Sequence, residues 1–173
     1  MLNQIPKIDH RLLCNGSRAS REEKVAFDNL KIALHKYGFL IIQNHPIAYE
    51  EIKNVFALYR TFFNQSIGNK YKVDMSQTSS NRGWASSKSE RVNPDFQPDD
   101  KEVFDCGPDI RIKHDFECSP YYAKNIWPEN IPFFRETIES FYHTCAELSM
   151  AILKQIEDAL GSVSYTHLRA HET

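Results

Sequence analysis

Residues 33 to 47, ALHKYGFLIIQNHPI, predict the end of a helix, a one-glycine turn, a strand and the start of a second helix. Gly38 stands where the C-terminus of a helix favours a residue in the left-handed conformation. The apolar run from Phe39 to Ile42 does not alternate with polar residues, which predicts a strand that is covered on both faces. Pro46 suits the first turn of the next helix, where its missing N–H leaves no bond unmade. The stretch therefore predicts a fold that mixes helices with strands.

The segment before this unit predicts a strand and then a helix. QIPKI, at residues 4 to 8, is typical of a short strand, and Pro6 favours an edge or an end because proline cannot donate to a neighbouring strand. Ser20 and Glu23 have the spacing of a capping box, which begins a helix. The apolar residues that follow are spaced by three and four, as in an amphipathic helix: Phe27, Leu30, Leu34 and Tyr37.

The segment after the unit predicts a helix, a short helical turn and a loop. Apolar residues between Ile52 and Phe63 recur at helical spacing, and this helix is expected to end near Asn64. Residues 66 to 73 predict a short helical turn, and residues 75 to 81 are polar and predict a loop.

The last third of the chain predicts one strand and one long helix. Residues 82 to 100 carry prolines and many charges, which favours an irregular excursion. The alternation over Glu102 to Cys106 then predicts a half-exposed strand. Residues 131 to 160 hold one apolar face at helical spacing, and Gly161 is the expected stop.

Composition narrows the class of protein. The 173 residues suffice for one domain with a core, and 21 basic residues against 23 acidic ones give a formal charge of −2. That balance offers no general electrostatic reason to expect nucleic acid or an anionic membrane as a partner. No apolar run approaches the roughly 20 residues of a membrane-spanning helix. Four widely separated cysteines predict reduced thiols in a cytoplasmic protein: Cys14, Cys106, Cys118 and Cys145.

The seven histidines do not form a recognisable metal motif. None is followed by the x-Asp or x-Glu that commonly begins a non-haem iron site of two histidines and a carboxylate. His167 and His171 have a spacing that some zinc sites use, but the glutamate of the HExxH form is missing, which favours a chance pair. His45 follows a strand, where an imidazole bonded to backbone is the more common role. No catalytic or metal-binding residue is therefore assigned.

One short segment is a candidate binding element. In Arg82-Gly83-Trp84 the arginine offers a planar fork for a carboxylate, the glycine permits close approach and the tryptophan offers an apolar wall. The alternative interpretation is a loop anchored by Trp84, with Arg82 paired to a surface acid.

The order of several short segments resembles a known family. These segments are IPKID at residues 5–9, YGFLIIQNH at 37–45, FF..S...K at 62–70, RGW at 82–84, PDDKEVFDCG at 98–107, NIWP at 125–128 and FR.....FY at 134–142. Together they resemble the N-terminal region of the iron(II)- and 2-oxoglutarate-dependent dioxygenases, in the isopenicillin N synthase-like branch. The likeness covers about Ile5 to Gly161, and Pro46 stands where the family usually has glycine.

The resemblance implies an α/β fold, with α+β as the alternative: the N-terminal helical and mixed-sheet region of a double-stranded β-helix oxygenase whose barrel is largely absent here. It implies that the parent protein binds iron(II) and 2-oxoglutarate and oxidises a C–H bond of a small organic substrate. The iron ligands and the 2-oxoglutarate-binding residues of this family lie in the C-terminal half, so no such residue can be transferred to this chain. Arg82, Gly83 and Trp84 match a substrate-side loop.

The end of the chain suggests a different origin for its last residues. SYTHLRAHET, residues 164 to 173, is similar to the translated read-through of a sequencing adaptor. We therefore expect a dioxygenase N-terminal domain over residues 1–161, a non-native tail over residues 162–173, and a truncated gene. Such a fragment should be inactive and should expose an apolar face on the long helix or on the strands at 39–43 and 102–106. The competing hypotheses are a non-catalytic partner-binding module of the same fold and a metal-binding regulator that uses His167 and His171.

Overall fold

Four short strands and five α-helices make up the computed structural model within the residues that it describes, 5–14, 18–78, 81–87, 100–108 and 124–161. The strands are β1 (Lys7–Asp9), β2 (Ile41–Gln43), β3 (Gly83–Ala85) and β4 (Val103–Asp105). The helices are α1 (His10–Cys14), α2 (Arg21–Ile32), α3 (Tyr49–Phe63), α4 (Ile67–Lys70) and α5 (Phe134–Leu160). The predicted mixture of helices and sheet is confirmed.

The strands form two separate sheets, one in each of two compact units. The first unit comprises Met1–Ile47 and Thr144–Thr173, and its sheet pairs β1 with β2 in parallel. The second unit comprises Ala48–His143, and its sheet pairs β3 with β4 antiparallel.

The capping box predicted at Ser20 begins α2. The Ser20 hydroxyl accepts the Glu23 N–H at 3.1 Å, and the Glu23 carboxylate accepts the Ser20 N–H at 3.2 Å. The last turn widens into a π-helical segment, Ala33–Tyr37, and Gly38 ends it at φ +69° as predicted. Residues next to each end of this helix therefore determine where it begins and ends.

The parallel sheet is covered on one face by the core of the first unit. Ile8 is 2% exposed, and Leu40 and Ile42 pack against the same cluster of buried side chains. On the other face Phe39 is 71% exposed and Ile41 is 42% exposed. The prediction that this strand is covered on both faces is thus wrong for the described part of the chain, because its apolar run lies at a sheet of only two strands with one packed side.

At the ends of β1 and β2 the structure contains two features that the sequence analysis does not predict. Residues 10–14 form α1, for which the sequence analysis predicts no helix; the Asp9 carboxylate accepts the Arg11 N–H at 2.9 Å and begins it. Asn44 has a φ of +54° and donates its amide to Asp9 at 2.6 Å, which turns the chain. The next helix consequently begins at Tyr49, three residues after Pro46.

Aromatic side chains dominate the core of the second unit. Phe62 of α3 lies 4.9 Å from Phe104 of β4 and 5.9 Å from Phe134 of α5, measured between ring centroids. Phe62 and Phe134 are 0% and 1% exposed. The predicted helix over residues 52–63 and its end at Asn64 are confirmed.

The long helix is present and ends at Gly161, whose φ is +64°. It begins at Phe134 and not at residue 131, because Phe133 has a φ of +59°, which helical geometry does not allow. In the second unit its buried face carries Phe134 and Ile138.

Two further predictions concern the thiols and the membrane. Cys14, Cys106 and Cys145 are reduced thiols, and Cys118 lies outside the described residues. Within the described ranges, no helix combines the length and the apolar character needed to cross a bilayer.

Candidate functional site

The segment Arg82-Gly83-Trp84 leads into and forms β3, so its prediction as a loop is wrong. Gly83 pairs with Asp105 and Trp84 pairs with Phe104 across the antiparallel sheet. The strand that pairs with β3 lies about twenty residues further along the chain. The charged and proline-containing composition around the segment therefore could not reveal that the segment forms a strand.

Gly83 occupies a position that only glycine fits. Its φ is +106°, and a Cβ atom built there would lie 2.4 Å from the backbone oxygen of Val73. The close approach of these two backbones fixes the start of β3 against the turn at Tyr71–Val73.

Trp84 is a core residue with a bonded indole. Its side chain is 1% exposed, and its indole N–H donates to the Glu102 Oε2 atom at 3.0 Å. The same oxygen accepts from the Lys70 ammonium at 2.6 Å, and Lys70 also donates to the Phe63 carbonyl at 3.2 Å. The hydrogen bond from Lys70 is the main cause that lowers the pKa of Glu102 below its ordinary value. We call Lys70, Trp84 and Glu102 the polar triad; Lys70 and Trp84 are buried, and the Glu102 side chain is 34% exposed.

The polar triad joins four parts of the second unit. Lys70 ends α4 and reaches the last residue of α3, while Trp84 and Glu102 belong to β3 and the approach to β4. The ammonium also lies 5.4 Å from the centre of the Trp84 ring, within cation–π range. The Lys70 side chain is only 7% exposed. Its buried charge is tolerated because it is paired with Glu102.

Arg82 lies beside the chain that leaves β4. A Cβ atom on Gly107 would approach the Arg82 Nη2 atom to 2.5 Å, so the glycine makes room for the guanidinium. Gly107 is held by Asn125, whose amide group accepts the Gly107 N–H at 3.0 Å and donates to the Gly107 carbonyl at 2.7 Å.

A cleft of about 360 Å³ opens next to Gly107. One ion pair crosses its lining, from the Arg135 Nε atom to the Glu139 Oε1 atom at 3.0 Å. The volume is within the range of small-molecule sites. The lining residues are Cys106, Gly107, Pro108, Trp127, Arg135, Ile138, Glu139, Tyr142 and His143.

Cys106 and Tyr59 are held in their neutral forms. Burial raises the pKa of the Tyr59 phenol and is also the main cause that raises the pKa of the Cys106 thiol. A thiol with a raised pKa is a weak nucleophile at neutral pH, so we assign no covalent role to Cys106.

The described residues do not fit an iron(II) site. Among them, no three His, Cys, Asp or Glu side chains gather closely enough to hold a metal ion. His45 has a buried Nδ1 atom without a hydrogen-bond partner in the described structure, so the expected backbone bond is not found at this nitrogen. His114, His167 and His171 lie outside the described residues. We therefore derive no reaction step through iron.

Comparison with protein families decides the class. The model of the family described as "non-haem dioxygenase in morphine synthesis N-terminal" matches residues 5–130. The chain belongs to this family. The resemblance proposed from the short segments is thereby confirmed.

Curated members of this oxygenase group are similar over most of the chain. A proline hydroxylase of Petromyces alliaceus, buaE, is 31% identical over 88% of the chain and 47% of its own length. A homoarginine-6-hydroxylase of Arabidopsis thaliana is 30% identical over 93% of the chain and 50% of its own length. The 2-oxoglutarate-dependent dioxygenase caaD of Aspergillus niger is 26% identical over 91% of the chain and 48% of its own length. The chain thus spans about half the length of the curated relatives it matches.

Solved structures give the same fold. A putative 2OG-Fe(II) oxygenase family protein of Caulobacter crescentus aligns with a TM-score of 0.72 at 20% identity, over 91% of the chain and 49% of that protein. A full-length Neurospora crassa protein solved in complex with alpha-KG aligns with a TM-score of 0.70 at 22% identity, over 91% of the chain and 48% of that protein. The chain therefore has the fold of the N-terminal region of the dioxygenase family.

Sequence reasoning missed the residues that fix this region. Lys70 and Glu102 are charged and would ordinarily be assigned to the surface, and Asn125 carries no distinctive spacing. Their roles depend on partners 32 and 18 residues away, as the separations in the Lys70–Glu102 and Gly107–Asn125 contacts show. A signal was nevertheless present, since both Glu102 and Asn125 lie in segments that resemble the family.

Proposed function

We propose that this chain is the N-terminal portion of an iron(II)- and 2-oxoglutarate-dependent oxygenase, a metal-binding oxidoreductase that acts on a small organic substrate in the cytoplasm. The chain by itself is inactive in this proposal, because the iron ligands and the 2-oxoglutarate-binding residues belong to the missing half. The observation that carries it is the family match over residues 5–130, together with relatives of about twice the length.

Within this proposal the chain contributes the substrate side of the site. Arg82 is the residue that would meet an acidic group of the substrate, since its guanidinium lies against Gly107, and Gly107 is one of the residues that line the cleft. Gly83 and Trp84 would act as its rigid base, because the first is fitted against Val73 and the second is bonded to Glu102. The family resemblance of the RGW segment supports the same role.

The test is to extend the coding sequence and to compare the extended protein with the 173-residue chain. We expect the extended protein to convert 2-oxoglutarate to succinate when iron(II) is supplied, and the chain alone to give only the background rate. A variant in which the histidine of the downstream His-x-Asp is replaced by alanine is the control. An extended sequence without that motif would contradict the proposal.

The role of Arg82 has its own test in the extended protein. Once a substrate is known, Arg82→Gln should raise its KM at least about tenfold, as the loss of one charged hydrogen bond predicts. Arg60→Gln, at an exposed position of α3, is the matched control. A lower kcat with an unchanged KM would argue against substrate contact.

A second candidate is a non-catalytic module that binds a protein partner through its exposed apolar side chains. Phe39 at 71% exposure favours it. The sequence downstream of Gly161 distinguishes the candidates: the oxygenase requires His-x-Asp, a later histidine and Arg-x-Ser, and the binding module does not.

The non-native origin of residues 162–173 also remains a proposal, since these residues lie outside the described part of the chain. Resequencing the locus beyond the codon for Gly161 tests it. A natural stop codon directly after Thr173 would contradict it. The zinc-regulator hypothesis involves the same residues, and removal of the last ten residues should leave zinc affinity unchanged.

A further inference from the structure

The Arg82 guanidinium lies flat against one glycine. A Cβ atom built on Gly107 would be 2.5 Å from the Arg82 Nη2 atom, 2.7 Å from Cζ and 3.1 Å from Nη1. All three distances are shorter than an ordinary van der Waals contact, so the guanidinium occupies the space that a side chain at position 107 would fill. Gly107 is not among the glycines with a positive φ. Space for Arg82, and not backbone conformation, is therefore what requires glycine at this position.

The Gly107 main chain is itself held by one side chain. The Asn125 Oδ1 atom accepts the Gly107 N–H, and the Asn125 Nδ2 atom donates to the Gly107 carbonyl. Both bonds are partly buried, and they join residues that are 18 positions apart in the sequence. Two bonds to one residue restrain its orientation as well as its distance, as in a hydrogen-bonded pair of an antiparallel sheet. Asn125 thus fixes the surface on which the guanidinium lies.

The main chain of Arg82 is fixed as well. Its carbonyl accepts a hydrogen bond from the Thr78 hydroxyl at 3.2 Å, and the next residue, Gly83, pairs with Asp105. Between this main chain and the guanidinium lies a flexible stem, which alone would leave the position of the charge undefined. Contact with Gly107 restrains the far end of that stem. A cation that is held in place before a carboxylate arrives loses less conformational freedom on binding.

We propose that Gly107 and Asn125 are positioning residues for Arg82. Gly107 provides the surface against which the guanidinium lies, and Asn125 holds that surface in place. The inference rests on the proposed function, in which Arg82 meets an acidic group of the substrate, and it names the residues that decide where that group can lie. Neither residue needs to touch the substrate in this role.

The Cys106 thiol can report the position of the guanidinium. Burial is the main cause that raises its pKa, and the hydrogen bond with Tyr59 and the charge of Arg82 act against that rise. The charges of Asp105 and Glu139 add to it. Displacement of the guanidinium therefore changes the pKa of Cys106, and removal of its charge raises that pKa.

The experiment measures alkylation of Cys106 by iodoacetamide, a neutral reagent, as a function of pH in the 173-residue chain. Mass analysis of the peptide that contains Cys106 separates this thiol from the other cysteines. Because the thiolate is the reactive form, the midpoint of the rate profile follows the pKa of the thiol. A change in the exposure of the thiol alters the maximal rate and leaves the midpoint in place.

We expect Arg82→Gln to raise the midpoint, because the positive charge is lost. Gly107→Ala and Asn125→Ala should each shift it as well, because the first pushes the guanidinium away and the second releases the surface beneath it. In a chain that already carries Arg82→Gln, neither substitution should shift the midpoint further. This loss of effect distinguishes positioning of Arg82 from a merely structural role, which would persist without the arginine.

Two substitutions are matched controls. Gly68→Ala adds a Cβ atom where no atom lies within 4 Å, and Asn130→Ala removes an amide that donates to Gln65 at 3.1 Å. Both should leave the midpoint unchanged. Circular dichroism shows whether each variant is folded. If Asn125→Ala is not, Gly107→Ala still tests the inference, because the atoms nearest to its Cβ belong to the end of a flexible side chain.

Three results would overturn the inference. The first is a midpoint that responds to Arg82→Gln but not to the substitutions at Gly107 and Asn125. The second is a midpoint that does not respond to Arg82→Gln, because the guanidinium would then not lie beside Cys106. The third is an equal shift by Asn125→Ala with and without the arginine.

The chain is measured without substrate, iron or 2-oxoglutarate, so this result is independent of the proposed function. An extended protein that does not convert 2-oxoglutarate, beside a chain in which the shifts depend on Arg82, would contradict the proposed function alone. An extended protein that does convert it, beside a chain in which the shifts do not depend on Arg82, would contradict the positioning role alone.

Discussion

Gly83 is the residue whose backbone tolerates no substitution. It combines a φ of +106° with the approach of the Val73 oxygen to 2.4 Å from a built Cβ. We expect Gly83→Ala to lower the free energy of unfolding by about 3 kcal/mol, from strained backbone and overpacking together. Gly68→Ala is the control, because no atom lies within 4 Å of its Cβ position, and it should raise that free energy by up to about 1 kcal/mol. Urea unfolding measures both, and equal effects of the two substitutions would contradict the assignment.

The ionised Glu102 side chain makes the free energy of unfolding decrease as the pH is lowered. Its pKa in the folded chain is lowered from 4.5, chiefly by the bond from Lys70, so its contribution is complete above pH 4.5 and is lost as the pH falls through the folded value. We expect Glu102→Gln to lower the free energy of unfolding by about 1 kcal/mol at neutral pH, because the bond to Lys70 is weakened while solvent already screens the partly exposed carboxylate. The difference from the parent protein should shrink below pH 4.5.

Thermal unfolding at a series of pH values checks this prediction. Glu129→Gln, at an exposed position outside the helices, is the matched control and should stay within about 0.5 kcal/mol of the parent protein. A Glu102 effect that is constant from neutral to acidic pH would show that the ionised carboxylate is not the cause.

Individual residues could be predicted where their role is local. Ser20, Gly38 and Gly161 were assigned correctly because a cap or a left-handed turn depends on a few neighbours along the chain. The roles of Lys70 and Glu102 could not be predicted, because the Lys70 charge is buried only where the distant Glu102 pairs with it. The position of Trp84 in the core also depends on residues that are distant in the sequence. The substrate-side role of residues 82–84 stays a proposal.

At the scale of elements, the residue that precedes α5 has an unfavourable backbone conformation. Phe133 has a φ of +59° and is 76% exposed, so its ring gains little from burial while its backbone is strained. We expect Phe133→Gly to raise the free energy of unfolding by about 1 kcal/mol, and Phe133→Ala to give no such gain because alanine keeps a Cβ. Thermal unfolding of the two variants distinguishes relief of strain from loss of an exposed ring, which would affect both alike.

Helices were more predictable than strands in this chain. The apolar spacing of α2, α3 and α5 repeats over several turns, so their existence and their core faces follow from the sequence. Each strand has three residues and carries too short a pattern to define its faces. For β2 the uniform run of apolar residues suggested two covered faces, whereas only the face towards Ile8 is packed within the described structure.

At the scale of the whole molecule, the second unit depends on one aromatic cluster. Phe62 is 0% exposed and contacts Phe104 and Phe134. We expect Phe62→Ala to lower the free energy of unfolding by about 4 kcal/mol, a large part of the stability of an ordinary domain. Phe56→Ala, on the same helix but 67% exposed, should stay within about 0.5 kcal/mol. Chemical denaturation measures both, and a small effect at Phe62 would contradict the assigned core.

The fold class and the family were predictable because they rest on many weak signals spread over the chain. The order of seven short segments survives local errors, such as the misplaced start of α3 or the missed α1. The catalytic site was not predictable in the same way, because a metal site needs particular side chains, and the described residues supply no such group.

The tryptophan fluorescence of this chain comes from only one of its two units. Both tryptophans, Trp84 and Trp127, belong to the second unit, and Trp84 is bonded through its indole to a carboxylate. Tryptophan emission therefore reports on residues 48–143 and is silent about the rest, whereas circular dichroism registers helices in both units. If the first unit unfolds separately, the dichroism will fall while the emission holds, and the gap between the two curves will measure its stability alone.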